Sequence, residues 1–243
     1  LDFDFVGHFA RPSVLHAVRA RACDDALNAY LNRHEDAGGI VVALGEGLET
    51  QLWRVGDSHL RHWISIDLPE AIAVRKALLP ASTVQTTVPC SALDDAWIDA
   101  VPPGGPPPFI SALGLLMYFE PREVQQLLAK IAKAFPGAEL YFDTIGPASS
   151  AQSLRGWQLT RRYRLPAMPW GISVDTIPQF IRSVPGLAPI EVQTYAAPFP
   201  SRTRVYRLLA RIPWIRNRFA PSLVHARVGP ENEAGSLSTG ARR

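Results

Sequence analysis

Apolar residues recur at Leu15, Val18, Ala22, Ala26, Ala29 and Tyr30, close to the helical period, and this spacing predicts an amphipathic helix over residues 14–32. The run from Ile40 to Leu44 is apolar throughout, the pattern of a strand in a parallel sheet covered by helices on both faces. Further strands are expected at 63–67 (WISID), 83–88 (TVQTTV), 109–113 and 138–143 (AELYFD). Helices fall between them: one after Leu68-Pro69 running to Leu79, and one from Pro121 to about Phe135 with a Pro136-Gly137 stop. Strands alternating with helices at this spacing indicate an α/β fold with a doubly wound, mostly parallel sheet.

Beyond Asp143 the periodicity changes. Residues 146–174 read as irregular, which suits an insert or lid. A helix at 176–183, a strand at 190–195, a helix at 204–210 and a strand at 222–227 follow, making seven strands, the last expected to run antiparallel. The Pro- and Gly-rich stretch 102–108 is a surface loop, and 229–243 is polar and small enough to be a disordered tail.

Composition narrows the classes. With 243 residues, 47% of them hydrophobic, the chain can bury one sizeable core, so one domain is expected over residues 1–228. The net charge of +3 includes two arginine-rich stretches, Arg155 to Arg164 and Arg202 to Arg218, either solvated or able to attract an anionic substrate. These stretches carry no nucleic-acid-binding signature, so a nucleic-acid partner is not expected. Cys23 and Cys90 support neither a disulfide framework nor a zinc site. No apolar run approaches the roughly 18 residues that span a bilayer, and the expectation is a cytoplasmic protein without a membrane partner.

In an open parallel sheet, ligands bind beyond the carboxyl ends of the strands, near the point where strand order reverses. The first strand there breaks into Gly45-Glu46-Gly47, and Asp67, at the end of the second, lies 22 residues beyond Gly45. An acid so placed can receive two ribose hydroxyls. A dinucleotide loop wants a third glycine where this chain has Thr50, and no Gly-Lys-Ser or Gly-Lys-Thr of a P-loop occurs. A cofactor with a ribose and no phosphates fits better, and S-adenosylmethionine is the common one.

The order of blocks resembles the leucine carboxyl methyltransferase-like proteins, and within them the polyketide O-methyltransferases of the tetracenomycin type. ALGEGLETQLWRV is similar to that family's LGxGxDTxxxRL; WISIDLPEAIAVRKALLP, SALDDAWIDAV, ISALGLLMYFEPREV and FPGAELYFDTIGP follow, covering about residues 15–147. The resemblance implies a class I S-adenosylmethionine-dependent methyltransferase. Gly45 and Gly47 would pass close to the methionine part of the cofactor, Asp67 would hold its ribose, Leu93 and Asp94 would flank its adenine, and Leu68 would be a further cofactor-binding residue. Arg19 stands where relatives place an arginine for the cofactor carboxylate, with Arg21 as competitor.

Two departures stand out. The family's usual Asp before Thr50 is Glu49, and where many relatives have Glu or Gln before the glycine of the fourth block this chain has Leu113, which cannot bond the cofactor ammonium. Candidate bases for an acceptor hydroxyl are His8, His59, His62 and Asp143; none is singled out, and the catalytic residue is left open. Trp157, Tyr163, Met168 and Trp170 could wall an acceptor site, or simply pack the insert onto the sheet, and Tyr118 could line the pocket. The expected activity is O-methylation of a small-molecule hydroxyl or carboxylate, with polyketide-like acceptors among the candidates. The alternatives are methylation of a protein C-terminal carboxylate and a non-catalytic interaction module on the same scaffold.

Overall fold

The computed structural model describes residues 4, 6–7, 13–197 and 203–229. Seven strands form one sheet in the order β3-β2-β1-β4-β5-β7-β6, where β1 is Gly39–Leu44, β2 Leu60–Asp67, β3 Gln85–Pro89, β4 Phe109–Ala112, β5 Glu139–Thr144, β6 Leu187–Thr194 and β7 Ser222–Val228. The first five strands pair in parallel, and β7 enters antiparallel between β5 and β6. Strand order reverses between β1 and β4, so the loops after these two strands part and leave a crevice.

β1 is buried along its whole length because both faces are covered. Its Ile40, Val42 and Leu44 join Ile64, Ile110 and Phe142 in one core layer, which packs on the amphipathic helix α4 (Pro121–Ala134) through Val124, Leu127, Leu128 and Ile131. The alternate residues Val41 and Ala43 join Trp63, Phe109 and Tyr141 in the other layer, under Leu27, Tyr30 and Leu31 of α1 (Val14–Arg33). The period of 2 in the strands against 3.6 in the helices makes this division.

Helix starts follow local chemistry. Ser13 caps α1 by accepting from Leu15 N at 3.2 Å, and α4 opens with Pro121 inside a reciprocal Glu120–Glu123 capping box. The short α2 (Gln51–Val55) follows the glycine loop and is tied to α1, where Asp24 accepts from Gln51 at 2.9 Å and from Arg54 at 2.8 and 3.0 Å. α3 (Pro69–Leu78) follows β2.

The stretch 146–174 is more ordered than its composition suggests. It opens with α5 (Pro147–Leu154), then makes a narrow turn closed by an isolated bridge between Gln158 and Arg164. Proline at the first helical position started this helix, but its small polar residues gave no apolar stripe to read. After it come a 3-10 turn at Val174–Thr176, α6 (Ile177–Ser183), α7 (Arg204–Ala210) and α8 (Pro213–Phe219); α8 was not expected. The expected tail 229–243 lies, apart from Gly229, outside the described residues, as does His8. Among the described residues no helix is long and apolar enough to cross a membrane.

Candidate functional site

The loop after β1 is held from below by a buried ion pair. Glu46, between the two glycines, accepts from Arg75 of α3 at 2.8 Å and from the Trp63 indole at 3.1 Å. The same guanidinium donates to the carbonyls of Gly47 and Glu49, each at 2.8 Å, so one buried side chain fixes three points of the loop. Glu46 keeps its other oxygen buried without a hydrogen-bond partner. Burial pushes its carboxyl up to about 7, against the opposing pull of Arg75.

Asp67 holds the loop from the side. One carboxylate oxygen accepts from Gly47 N at 2.7 Å and the other from Leu68 N at 2.8 Å, which leaves lone pairs on both oxygens for further donors. Gly45 and Gly47 have φ of 60° and 52°, the left-handed region that favours glycine. A Cβ on Gly45 would meet Leu115 at 2.7 Å, whereas a Cβ on Gly47 would meet nothing within 4 Å, so the backbone there faces open space. The first glycine answers to packing inside the protein; the second leaves room for a ligand.

Across the crevice, Asp143 at the end of β5 is 1% exposed. It accepts from Gly114 N at 2.6 Å, from Arg19 Nη1 at 3.1 Å and from the Tyr195 hydroxyl. Burial, then the neighbouring Asp143 charge, raises the Tyr195 pKa well above its ordinary value, which keeps that hydroxyl a donor. Gly114 has φ of 69°, and a Cβ there would stand 2.8 Å from Arg19 Nη1, so the turn after β4 admits the guanidinium only because it has no side chain.

Between these two walls lies a cavity of about 340 Å³, lined by Arg19, Gly45, Glu46, Glu49, Ser111 and Leu113 among others. Its lining carries the cation Arg19 and the acid Glu49, a pairing that suits a zwitterionic amino-acid group, while the Glu46 carboxylate is turned under the loop to Arg75 and Trp63. A guanidinium is a planar partner for a carboxylate, and an acid is a partner for an ammonium. Glu49 is also held in place, accepting from Thr50 N at 2.8 Å and from Arg54.

The structure thus gathers Arg19, Gly45 and Leu113 around one cavity, with Gly47 and Asp67 bonded together at its loop. Leu68, 53% exposed, stands at the start of α3. Leu93 and Asp94 line a separate, shallower depression against α4, where Lys130 donates to both backbone carbonyls at 2.5 and 3.2 Å. Arg21 pairs with Asp25 on the exposed side of α1, so Arg19 is the arginine of this site.

Of the candidate bases, His59 and His62 stand before and early in β2, at the opposite end of the sheet. Asp143 is committed to three donors and serves as an anchor. His16 escaped the sequence reading: it lies one turn before Arg19 on α1, and desolvation, then the charge of Arg19, lowers its pKa while Asp143 pulls the other way. Nothing in the periodicity singles it out. Among the supposed acceptor-wall residues, Met168 and Trp170 are buried; Trp170 packs on Phe142 and Phe180, so these two anchor the insert to the core. Tyr118 remains 43% exposed, and Trp157 and Tyr163 are half-buried. Among the described residues no cluster could hold a metal ion.

Comparison with known proteins places this arrangement. Residues 8–132 match the sequence profile of the leucine carboxyl methyltransferases. The chain is 27% identical, over 195 residues, to the tetracenomycin polyketide synthesis O-methyltransferase TcmP of Streptomyces glaucescens, an alignment covering 77% of this chain and 67% of that protein. Among solved structures it is similar to the magnesium protoporphyrin IX methyltransferase ChlM of Synechocystis, with bound S-adenosylhomocysteine (TM-score 0.53, 10% identity, 88% of this chain and 85% of the other). It is also similar to an S-adenosylmethionine-dependent methyltransferase of Mesorhizobium loti (TM-score 0.53, 18% identity, 82% and 96%). The strand order, with its antiparallel β7, is shared fold; the blocks that build the cavity carry the family. The chain belongs to the leucine carboxyl methyltransferase family.

Proposed function

We propose that this protein is an S-adenosylmethionine-dependent O-methyltransferase acting on a small-molecule hydroxyl or carboxylate. The observation that carries the reading is the cavity at the strand-order reversal, where the fixed Arg19 and the acid Glu49 line one space beside a glycine whose missing side chain leaves it open. When bound, the cofactor supplies an electrophilic methyl group on a sulfonium. The chain's own part is placement: Arg19, oriented by Asp143, receives a carboxylate, Asp67 receives ribose hydroxyls, and the Glu49 carboxylate offsets the ammonium contact that Leu113 does not make. Leu93 and Asp94 lie farther along the sheet, toward the adenine end. The resemblance to TcmP supports oxygen as the acceptor atom and a polyketide-like acceptor.

Positioning can supply much of the rate of such a transfer. A carboxylate acceptor arrives ionised; a phenol, with a pKa of about 10, gains from a base. The turn 155–166 with Trp157 and Tyr163, and Tyr118 after β4, form the cover under which an aromatic acceptor would lie.

Titration calorimetry with S-adenosylhomocysteine tests the reading. Binding near one per chain is expected, with Asp67→Ala weakening it by about tenfold to a hundredfold, the loss of one or two hydrogen bonds to a charged group. No binding to a folded protein would overturn the proposal and leave the scaffold as an interaction module.

A further inference from the structure

The segment α7–α8 is unlike the rest of the surface. Neither helix contains a buried residue, and large apolar side chains stand in solvent: Val205 at 69%, Leu208 at 63%, Ile212 at 48% and Trp214 at 65% exposure. Val205, Leu208 and Ile212 are spaced i, i+3, i+7 and so form one stripe along the helix and its C-terminal turn. Arg204, Arg207 and Arg211 repeat the same spacing one residue earlier and run beside it as a second stripe. These three arginines share a small surface depression with Leu208, and no ion pair ties them to another described residue.

The charge is one-sided. No acid occurs between Glu191 and Glu231, while seven arginines do. Arg216 is bound by Asp175 at 2.7 Å and Arg227 lies 3.5 Å from Glu139, whereas the three stripe arginines are exposed. The hairpin is tied to the body through α8, where Arg216 and Asn217 donate to Asp175, each at 2.7 Å, while Tyr206, Leu209 and Phe219 on its other side border an apolar cavity with Leu15 and Tyr195. The outward stripes are therefore spare surface on an anchored element.

We propose that the α7–α8 hairpin docks the protein on an anionic bilayer surface. Val205, Leu208, Ile212 and Trp214 enter the boundary between headgroups and acyl chains, and Arg204, Arg207 and Arg211 lie among the anionic headgroups. An apolar stripe with an indole beside a cationic stripe is the pattern of an element that lies in the interface plane, which is independent of whether any helix can span the membrane. Arginine suits the border because its stem packs on apolar surface while its head stays with charge. A second copy of the chain is disfavoured as the occupant, because it would bring the same arginines face to face.

Co-sedimentation of the full chain with phosphatidylcholine vesicles, with and without phosphatidylserine, tests this at low and at physiological salt. Binding to the anionic vesicles only, weakening with salt, is expected. Changing Arg204, Arg207 and Arg211 to Gln should lower the partition coefficient by about fivefold per arginine, and Leu208→Ser with Trp214→Ser should lower it with the charge intact. All five positions are solvent-facing, and circular dichroism confirms that each variant is folded. Absence of binding to either vesicle, equal binding to both, or binding indifferent to the substitutions overturns the proposal. So does a dimer in sedimentation velocity that Leu208→Ser dissolves while vesicle binding is absent.

Discussion

Glu46 is a buried acid whose second oxygen has no partner, and its carboxyl sits near 7, so the protein carries a pH dependence at the centre of its glycine loop. The unfolded chain ionises this group near 4.5 and the folded chain near 7. Between those values the unfolded state binds fewer protons, so this group's contribution to stability falls as pH rises, by about 1–3 kcal/mol across the window, and then levels. Denaturant midpoints of the protein and of Glu46→Gln at pH 5 and 7.5 check this: the advantage of the natural side chain over Gln should shrink with rising pH. An unchanged difference would mean that Arg75 keeps the acid ionised throughout. His16 gives a second expectation. Burial, then the charge of Arg19, lowers its pKa, so folding favours the neutral imidazole. Urea midpoints should therefore show the natural side chain gaining in stability over His16→Asn as pH rises from about 5 toward 7, and a constant difference would leave His16 a packing residue only.

The strand β5 shows how one element serves both ends of the sheet. At its far end Asp143 fixes Arg19, and at its start Glu139 accepts from Arg33 at 2.5 Å and His225 at 2.9 Å. Burial works to raise the Glu139 pKa, but the hydrogen bonds and charges of His225 and Arg33 overcome it and hold the carboxyl at about 2. A depressed carboxylate contributes stability above its unfolded pKa, and loses it as pH falls from about 4.5 toward 2. Glu139→Gln should therefore be less stable than the natural protein at pH 6, by up to about 3 kcal/mol, with the gap closing near pH 2. Urea unfolding at pH 6 and 3 would show it, and a constant gap would assign the effect to packing instead. The elements themselves were legible to different degrees. β1, β2, β5 and α4 declared themselves by apolar runs, by a period of 3.6 and by proline starts. α5 and α8 did not: one is built of Ala, Ser and Gln, and the other is a single two-turn helix without a buried face, so neither leaves an apolar stripe.

At the scale of the whole molecule, the cradle comes from α1 and the first five strands, while the hairpin that carries the basic and apolar stripes comes from the part beyond β6. The family blocks cover the first of these regions and not the second, so the family speaks for the cofactor side and is silent on the hairpin. The proposed acceptor cover lies between them, in a stretch whose aromatic residues divide between core and surface: Trp170 is buried, and Trp157 and Tyr163 are half-buried.

The sequence by itself determined the alternation of strands and helices, the loop at Gly45-Glu46-Gly47 and the acid at Asp67, because each is a local signal: a period, a turn residue, a strand end. Through the order of blocks it also singled out Arg19 ahead of the first strand. Only the tertiary structure decided that Asp143 anchors that arginine from 124 positions away, that Arg75 clamps the glycine loop from beneath through Glu46, that Trp170 belongs to the core, and that Glu49 stands in the cavity wall beside Leu113. Each of these is a contact between residues far apart along the chain, made by the packing of α1, α3 and the strand ends over one sheet, and no local pattern of hydrophobic and polar positions encodes such a pairing.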